Sequence, residues 1–170
     1  PENKILVCLL DMKNLWFKKL ELKPRQDISF LNLPEKFLFY PANTWKHKNH
    51  IGLVEAVSYL YEKKNIIINV VCTGDKNINF SETILPRLKE LNLEQQVQFL
   101  GVVNEEVLYS LYQQCTGVIV PTIYEAGSFP LMESMIMQIP VICSNVTSLP
   151  ETIGDLQYVF DPFNVEDMAD

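Results

Sequence analysis

The chain has 170 residues, 48% of them hydrophobic and 21% charged, the mix of one ordinary globular domain with enough apolar side chains to bury a core. Fourteen Lys and Arg against 21 Asp and Glu leave a formal charge of −7, which argues against nucleic acid or an anionic membrane as partner, since both need a basic field. Uninterrupted apolar runs such as 5–10 fall far short of the roughly 18–20 residues of a membrane helix, so no transmembrane segment is expected.

In chain order, residues 1–34 read as a linker or the remnant of a preceding domain. Within them 5–10 is a candidate strand, and 13–23 mixes basic and apolar residues ahead of Pro24 and Pro34. From Phe37 onward short apolar β-rich runs alternate with helical patterns, the signature of βαβ units around a parallel sheet. The strands are expected at 37–41, 66–73, 97–100, 117–121, 141–143 and 158–160, most of them apolar enough to be covered on both faces. Helices at about 50–62, 82–92, 105–114, 129–138 and 149–153 supply the crossovers that parallel strands require. Asn104 can cap a helix whose first turn holds Glu105 and Glu106, and Ser148-Leu149-Pro150-Glu151 fits a capping box. The fold class is therefore α/β, a Rossmann-like parallel sheet flanked by helices. The chain opens on Pro1 and stops in the first turn of a further helix, so 35–170 is read as a domain truncated at its carboxyl end and excised from something longer.

Four cysteines, Cys8, Cys72, Cys115 and Cys143, are widely spaced with no C-x-x-C pair, the pattern of free thiols in a reducing cytoplasm. His47 and His50 have no cysteine pair near them, so no metal site is expected. The six glycines never stand in G-x-G spacing, which removes the dinucleotide fingerprint and the P-loop.

In an open parallel sheet ligands bind beyond the carboxyl ends of the strands, so the segments after each strand carry the candidate chemistry. After the fourth strand come Glu125, Gly127, Ser128, Phe129 and Pro130, then an apolar helix interrupted by Glu133 and Ser134. Gly127 permits close backbone approach, Ser128 can cap, and Pro130 suits a first turn, leaving N–H groups able to hold an anion such as a diphosphate. Glu133, flanked by Leu131, Met132, Met135, Ile136 and Met137, is expected to be partly desolvated and to need hydrogen-bond donors. Ligand hydroxyls can supply them, and so can a backbone N–H or a lysine. Glu125 taken alone also fits an exposed loop acid. After the first strand, Lys46, His47, Lys48 and His50 put four potentially cationic residues within five positions of an acidic chain. If that loop meets the Glu125 loop, Lys48 can neutralise phosphate; the alternative is a solvated basic turn. Thr73 to Lys76 and Gly101 to Val103 offer a third, weaker approach to backbone.

Taken together, YPANTWKHKNH, QFLGVVNEEVLYSLY, YEAGSFPLMESMIMQIPVICSN and SLPETIGDLQYVFDP resemble, in that order, the carboxyl-terminal, donor-binding domain of retaining GT-B glycosyltransferases of family four (group 1), which includes many mannosyltransferases. The resemblance covers about residues 33–170, and the E-x7-E pair Glu125 and Glu133 is its most specific element. It implies one half of a two-domain GT-B fold, with Glu125 on the donor sugar, Glu133 on the ribose hydroxyls and Lys48 on the diphosphate. Backbone at Gly127, Ser128 and Phe129 would help at sugar and phosphate. It further implies hexose transfer from a nucleotide sugar, with GDP-mannose as the candidate donor, to a glycan or lipid-linked acceptor held by an amino-terminal domain outside this chain. No cofactor or essential metal is implied. Two departures stand out: Asn43 takes the place of a frequent arginine, with Lys46 as the compensating cation, and Gln138 replaces a small residue before the Ile139-Pro140 step. A fragment of this kind would bind donor and transfer little by itself; the full-length protein would be cytoplasmic, at the inner face of a membrane. Other readings are a nucleotide-sugar epimerase-like domain and a non-catalytic nucleotide-sugar-binding scaffold.

Overall fold

A computed structural model describes residues 26–170. The candidate strand at 5–10, the basic segment at 13–23 and Cys8 lie outside the described residues. Six strands, β1 (Leu38–Pro41), β2 (Val70–Thr73), β3 (Val97–Gly101), β4 (Gly117–Val120), β5 (Val141–Ser144) and β6 (Val159–Phe160), form one sheet in the order β3-β2-β1-β4-β5-β6. Every pairing is parallel. Leu38 stands in register with Val70 of β2 on one side and Gly117 of β4 on the other.

The crossovers are α1 (His50–Lys64), α2 (Leu85–Glu90), α3 (Glu105–Gln114), α4 (Phe129–Ile136) and α5 (Leu149–Ile153), followed by α6 (Val165–Ala169) packed on α1. Successive strand residues point to opposite faces. Phe39 meets Tyr112 of α3 edge-on at 5.0 Å between ring centroids, while Tyr40 meets His50 of α1 at 4.7 Å, so helices cover both faces of β1. All four residues of β2 and of β4 are buried, as the apolar runs predict for strands covered on both sides. Ile28 is also buried and Leu31 and Leu33 pack against the core, so the packed unit begins amino-terminal to residue 35.

Element boundaries differ from the sequence reading where a local cause intervenes. The strand expected at 66–73 begins only at Val70, because Asn65 leaves α1 in a left-handed conformation and Ile66 N–H bonds back to Leu60, holding Ile66 and Ile67 exposed. The helix expected at 82–92 starts as a π-turn at Phe80–Ile84, with Leu85 N–H bonded to the Phe80 carbonyl. Pro86 supplies no N–H to Glu82, so the wider turn absorbs the missing bond. The helix expected at 129–138 ends at Ile136, and Gln138 closes it at φ +57°. The strand expected at 158–160 is Val159–Phe160, since Leu156–Tyr158 is a 3-10 turn. Asn104 caps α3 through Val107 N–H at 2.8 Å, but the capping box at Ser148 does not form. Its hydroxyl donates instead to the Ala126 carbonyl at 2.9 Å, a longer-range bond that outcompetes the local one.

Candidate functional site

The strand order reverses between β1 and β4, so the loops leaving their carboxyl ends diverge and open a crevice, the place where open α/β sheets bind ligands. A cavity of about 350 Å³ lies there, within the range of small-molecule sites. Its wall includes Pro41 at the end of β1 with Asn43, Trp45 and Lys48 after it, Thr73 at the end of β2 with Gly74 after it, Val102 and Val103 after β3, and Glu125, Phe129 and Pro130 after β4. A larger hollow of about 630 Å³ between α3 and the end of α4 is lined by no charged side chain among the described residues. Chemistry rather than size therefore singles out the crevice.

Lys48 Nζ donates to Glu125 Oε1 at 2.7 Å, with the two side chains 17% and 10% exposed, across a sequence separation of 77 residues. Glu125 Oε2 is buried without a hydrogen-bond partner among the described residues, an acceptor held out of water. The arrangement places a cation beside a carboxylate with one unfilled acceptor at the wall of the crevice.

The Lys48 loop is built from a 3-10 turn, Lys46–Lys48, ended by Asn49 in a left-handed conformation. Asn49 then caps α1 by accepting from Gly52 N–H, and its Nδ2 donates to the Pro162 carbonyl at 3.0 Å. Tyr40, fully buried, donates its hydroxyl to the Lys48 carbonyl at 2.9 Å. On the β2 side, Asn43 Oδ1 accepts from Asp75 N–H at 2.7 Å. Buried Thr44 gives its N–H and hydroxyl to the Asp75 carbonyl, and its Oγ1 accepts from Asn77 N–H at 3.0 Å. Asn79 Nδ2 donates to the Thr44 carbonyl. Gly74 completes this latch at φ +120°, where a Cβ would come within 2.6 Å of the Ala42 backbone. Towards β4, the His47 carbonyl accepts from Ile123 N–H and Thr122 Oγ1, both at 2.8 Å.

Around Glu125 the loop after β4 hangs on hydroxyls from β5 and the turn that follows it. Ser144 donates to the Thr122 carbonyl at 2.5 Å, Thr147 to that of Glu125, and Ser148 to that of Ala126. Ser128 is buried and caps α4, with Leu131 N–H reaching its Oγ at 3.4 Å. Since Pro130 has no N–H, the amides of Gly127, Ser128 and Phe129 are the backbone donors left at this helix start.

Glu133 is not on the wall of the crevice. Its Oε2 accepts from the hydroxyl of fully buried Tyr112 at 2.5 Å, rather than from a ligand hydroxyl, a backbone N–H or a lysine as the sequence suggests. Burial raises its carboxyl above the ordinary value, and the Tyr112 bond acts in the opposite direction. Lys46 and His47 are exposed and also off the wall. His50 corrects the count of cations: it is 1% exposed between Tyr40 and Phe99, and burial, aided by the Lys48 charge, lowers its pKa to about 3, so it is neutral. Among the described residues Cys72, Cys115 and Cys143 are free, and burial pushes the last two thiols up to about 11 and 12, which removes them as nucleophiles. No group of three or more His, Cys, Asp or Glu among the described residues could hold a metal ion, and no described helix is long and apolar enough to cross a membrane.

Sequence reasoning missed Tyr112, Thr44 and Thr147. Tyr112 sits on an amphipathic helix where an aromatic reads as core, and nothing local points it at a carboxylate 21 residues away. Thr44 and Thr147 lie in loops whose partners are set by strand order.

An all-parallel sheet in this order, with a lysine and a carboxylate paired at its switch point, defines a Rossmann-like ligand-binding domain suited to a ligand bearing both phosphate and hydroxyls. The chain belongs to the family described as glycosyl transferases group 1, whose model matches residues 24–170. It is similar to O-antigen chain mannosyltransferase B of Escherichia coli, with 32% identity over 76% of this chain and 34% of that protein. It is also similar to the N-acetylgalactosamine-N,N'-diacetylbacillosaminyl-diphospho-undecaprenol 4-alpha-N-acetylgalactosaminyltransferase of Campylobacter jejuni, with 29% identity over 91% of this chain and 38% of that protein. The chain thus spans little more than a third of these relatives. Among solved structures, a glycosyltransferase from Rickettsia africae superposes with a TM-score of 0.70 at 25% identity, over 93% of this chain and 40% of that one. The sheet and its flanking helices are those of GT-B glycosyltransferases.

Proposed function

We propose that this chain is the carboxyl-terminal, donor-binding domain of a retaining glycosyltransferase, transferring a hexose from a nucleotide sugar to a glycan or lipid-linked acceptor. The observation that carries the reading is the Lys48–Glu125 pair, 2.7 Å apart at the switch point, with Glu125 Oε2 buried and unpartnered beside a 350 Å³ cavity. Lys48 meets the diphosphate as a point charge, while Glu125 Oε2 accepts from hydroxyls of the sugar. The amides of Gly127, Ser128 and Phe129 lie at the start of α4, where a helix favours negative charge. Glu133, braced by Tyr112, is assigned to the ribose hydroxyls. Lys46, exposed on the same turn as Lys48, adds to the local positive field rather than a direct contact, and Asn43 serves the latch to Asp75.

In the transfer the bond from the sugar carbon to the diphosphate oxygen breaks, an acceptor hydroxyl oxygen bonds to that carbon on the same face, and the hydroxyl proton passes to the departing diphosphate. Lys48 and the helix start stabilise the charge that accumulates on the leaving diphosphate, and the scheme calls for no cofactor. GDP-mannose is the candidate donor: the similarity to a mannosyltransferase of Escherichia coli supports the mannose, and the nucleoside is read out by the titration below. The acceptor is assigned to a further domain, so this chain alone binds donor and transfers little. The whole protein is assigned to the cytoplasm, at the inner face of a membrane.

Calorimetric titration with GDP, UDP, ADP and their sugar conjugates tests the reading, repeated on Lys48→Ala and Glu133→Ala. Saturable binding of one nucleotide family, weakened by both substitutions, is expected. Binding that ignores both would overturn the site, and appreciable sugar transfer by the isolated chain would overturn the division of labour.

A further inference from the structure

Among the described residues six non-glycine positions have left-handed backbone: Asn32, Asn49, Asn65, Asn92, Gln138 and Thr147. Asparagine tolerates that conformation, because its short amide satisfies the local backbone. Gln138 closes α4, a position where a left-handed residue is ordinary. Thr147 has neither excuse. It is β-branched, the kind of side chain for which φ +52° is a strained outlier, and it is exposed, so no packing demand explains a second branch on its Cβ. Strain of this kind persists where the surroundings use the group that carries it.

What Thr147 does is give its hydroxyl hydrogen to the carbonyl of Glu125. The turn at 147 directs the side chain to the loop after β4, and its neighbours act in the same sense: Ser144 holds the Thr122 carbonyl and Ser148 that of Ala126. Of the three, only Thr147 grips the residue whose carboxylate meets Lys48. We propose that Thr147 is a positioning residue for Glu125, its strained turn retained because the hydroxyl fixes the Glu125 main chain and so aims Oε2 at the sugar of the donor. The inference rests on the reading of Glu125 as the sugar contact.

Glycine at 147 relieves the strain and removes the donor, whereas serine keeps the hydroxyl with less crowding. The two roles of the residue therefore separate. Wild type, Thr147→Gly and Thr147→Ser are each melted and titrated with GDP and GDP-mannose and with UDP and UDP-glucose. For the pair that wild type binds, Thr147→Gly is expected to weaken the sugar conjugate about fivefold, the worth of one well-aligned hydrogen bond, and to leave the free nucleotide within about twofold. Its melting temperature stays level or rises, and Thr147→Ser retains both affinities. A purely structural turn residue predicts the same gain in melting temperature with no sugar-specific loss. Unchanged affinity of Thr147→Gly for the conjugate, or an equal loss for conjugate and free nucleotide, overturns the positioning role while the site reading stands. Failure of wild type to bind any of the four compounds, or ADP and its sugar conjugates, overturns the site reading, and this inference with it.

Discussion

The two loops that face each other across the crevice are fastened in different ways. The Lys48 loop is held from inside: buried Thr44 bonds to Asp75 and Asn77, buried Tyr40 holds the Lys48 carbonyl, and Gly74 lies flat against Ala42. The Glu125 loop is held largely from outside, by Thr147 and Ser148 at the surface, with only Ser144 fully buried. On the first side the bonds that orient the charge are also bonds that hold the fold, since breaking one strands a buried polar group. On the second, orientation and stability are separable, because a freed surface carbonyl finds water.

The sharpest break is expected from Lys48→Ala. It removes the cation assigned to the diphosphate and leaves Glu125, 10% exposed, without its partner. Nucleotide affinity should fall about 100-fold, read by calorimetry at fixed low salt. Thr44→Val comes next: it keeps the shape and deletes the hydroxyl that serves Asp75 and Asn77, so chemical denaturation should show a loss of about 2 kcal/mol. The corresponding cut on the other side, Ser148→Ala, should leave stability within about 0.5 kcal/mol, and a comparable loss at both sites would dissolve the contrast.

Glu133→Gln tests the boundary between site and scaffold. Burial holds the Glu133 carboxyl above its ordinary value of 4.5. A carboxyl with a higher pKa folded than unfolded favours the folded state at low pH, and that stability is lost as pH rises through the raised value. The amide has no such loss, so the melting temperature of the variant relative to wild type should climb from about pH 4.5 upward and then level off. Nucleotide affinity should meanwhile drop about tenfold, because a charged acceptor is gone. If affinity holds, Glu133 belongs to the scaffold with Tyr112. A small effect of the opposite sign is expected of Gln138→Gly. Relief of a left-handed glutamine, less the entropy that glycine adds to the unfolded chain, should stabilise by about 0.5 kcal/mol without touching ligand binding.

Much of the fold was legible because its signals are local. Apolar runs marked all six strands, and the pattern between them marked the crossovers; the caps at Asn104 and Ser128 are each one side chain reaching three residues ahead. Lys48 and Glu125 were legible only as candidates, in a basic cluster of an acidic chain and in a glycine-bearing turn, since a solvated basic turn and an exposed loop acid fit the same residues. Local reasoning failed where a bond from elsewhere competed. Ser148 turns from its own helix to Ala126, Glu133 takes the hydroxyl of Tyr112, and His50 loses its charge between Tyr40 and Phe99.

The amino-acid sequence by itself determined which segments become strands and helices, and which residues carry charge at the strand ends, because periodicity and capping act over a few residues. Only the tertiary structure decided that β4 returns to lie beside β1, and hence that Lys48 and Glu125, 77 residues apart, come within 2.7 Å. That pairing depends on strand order, a property of how crossovers pack on the two faces of the sheet, which no local window of residues encodes.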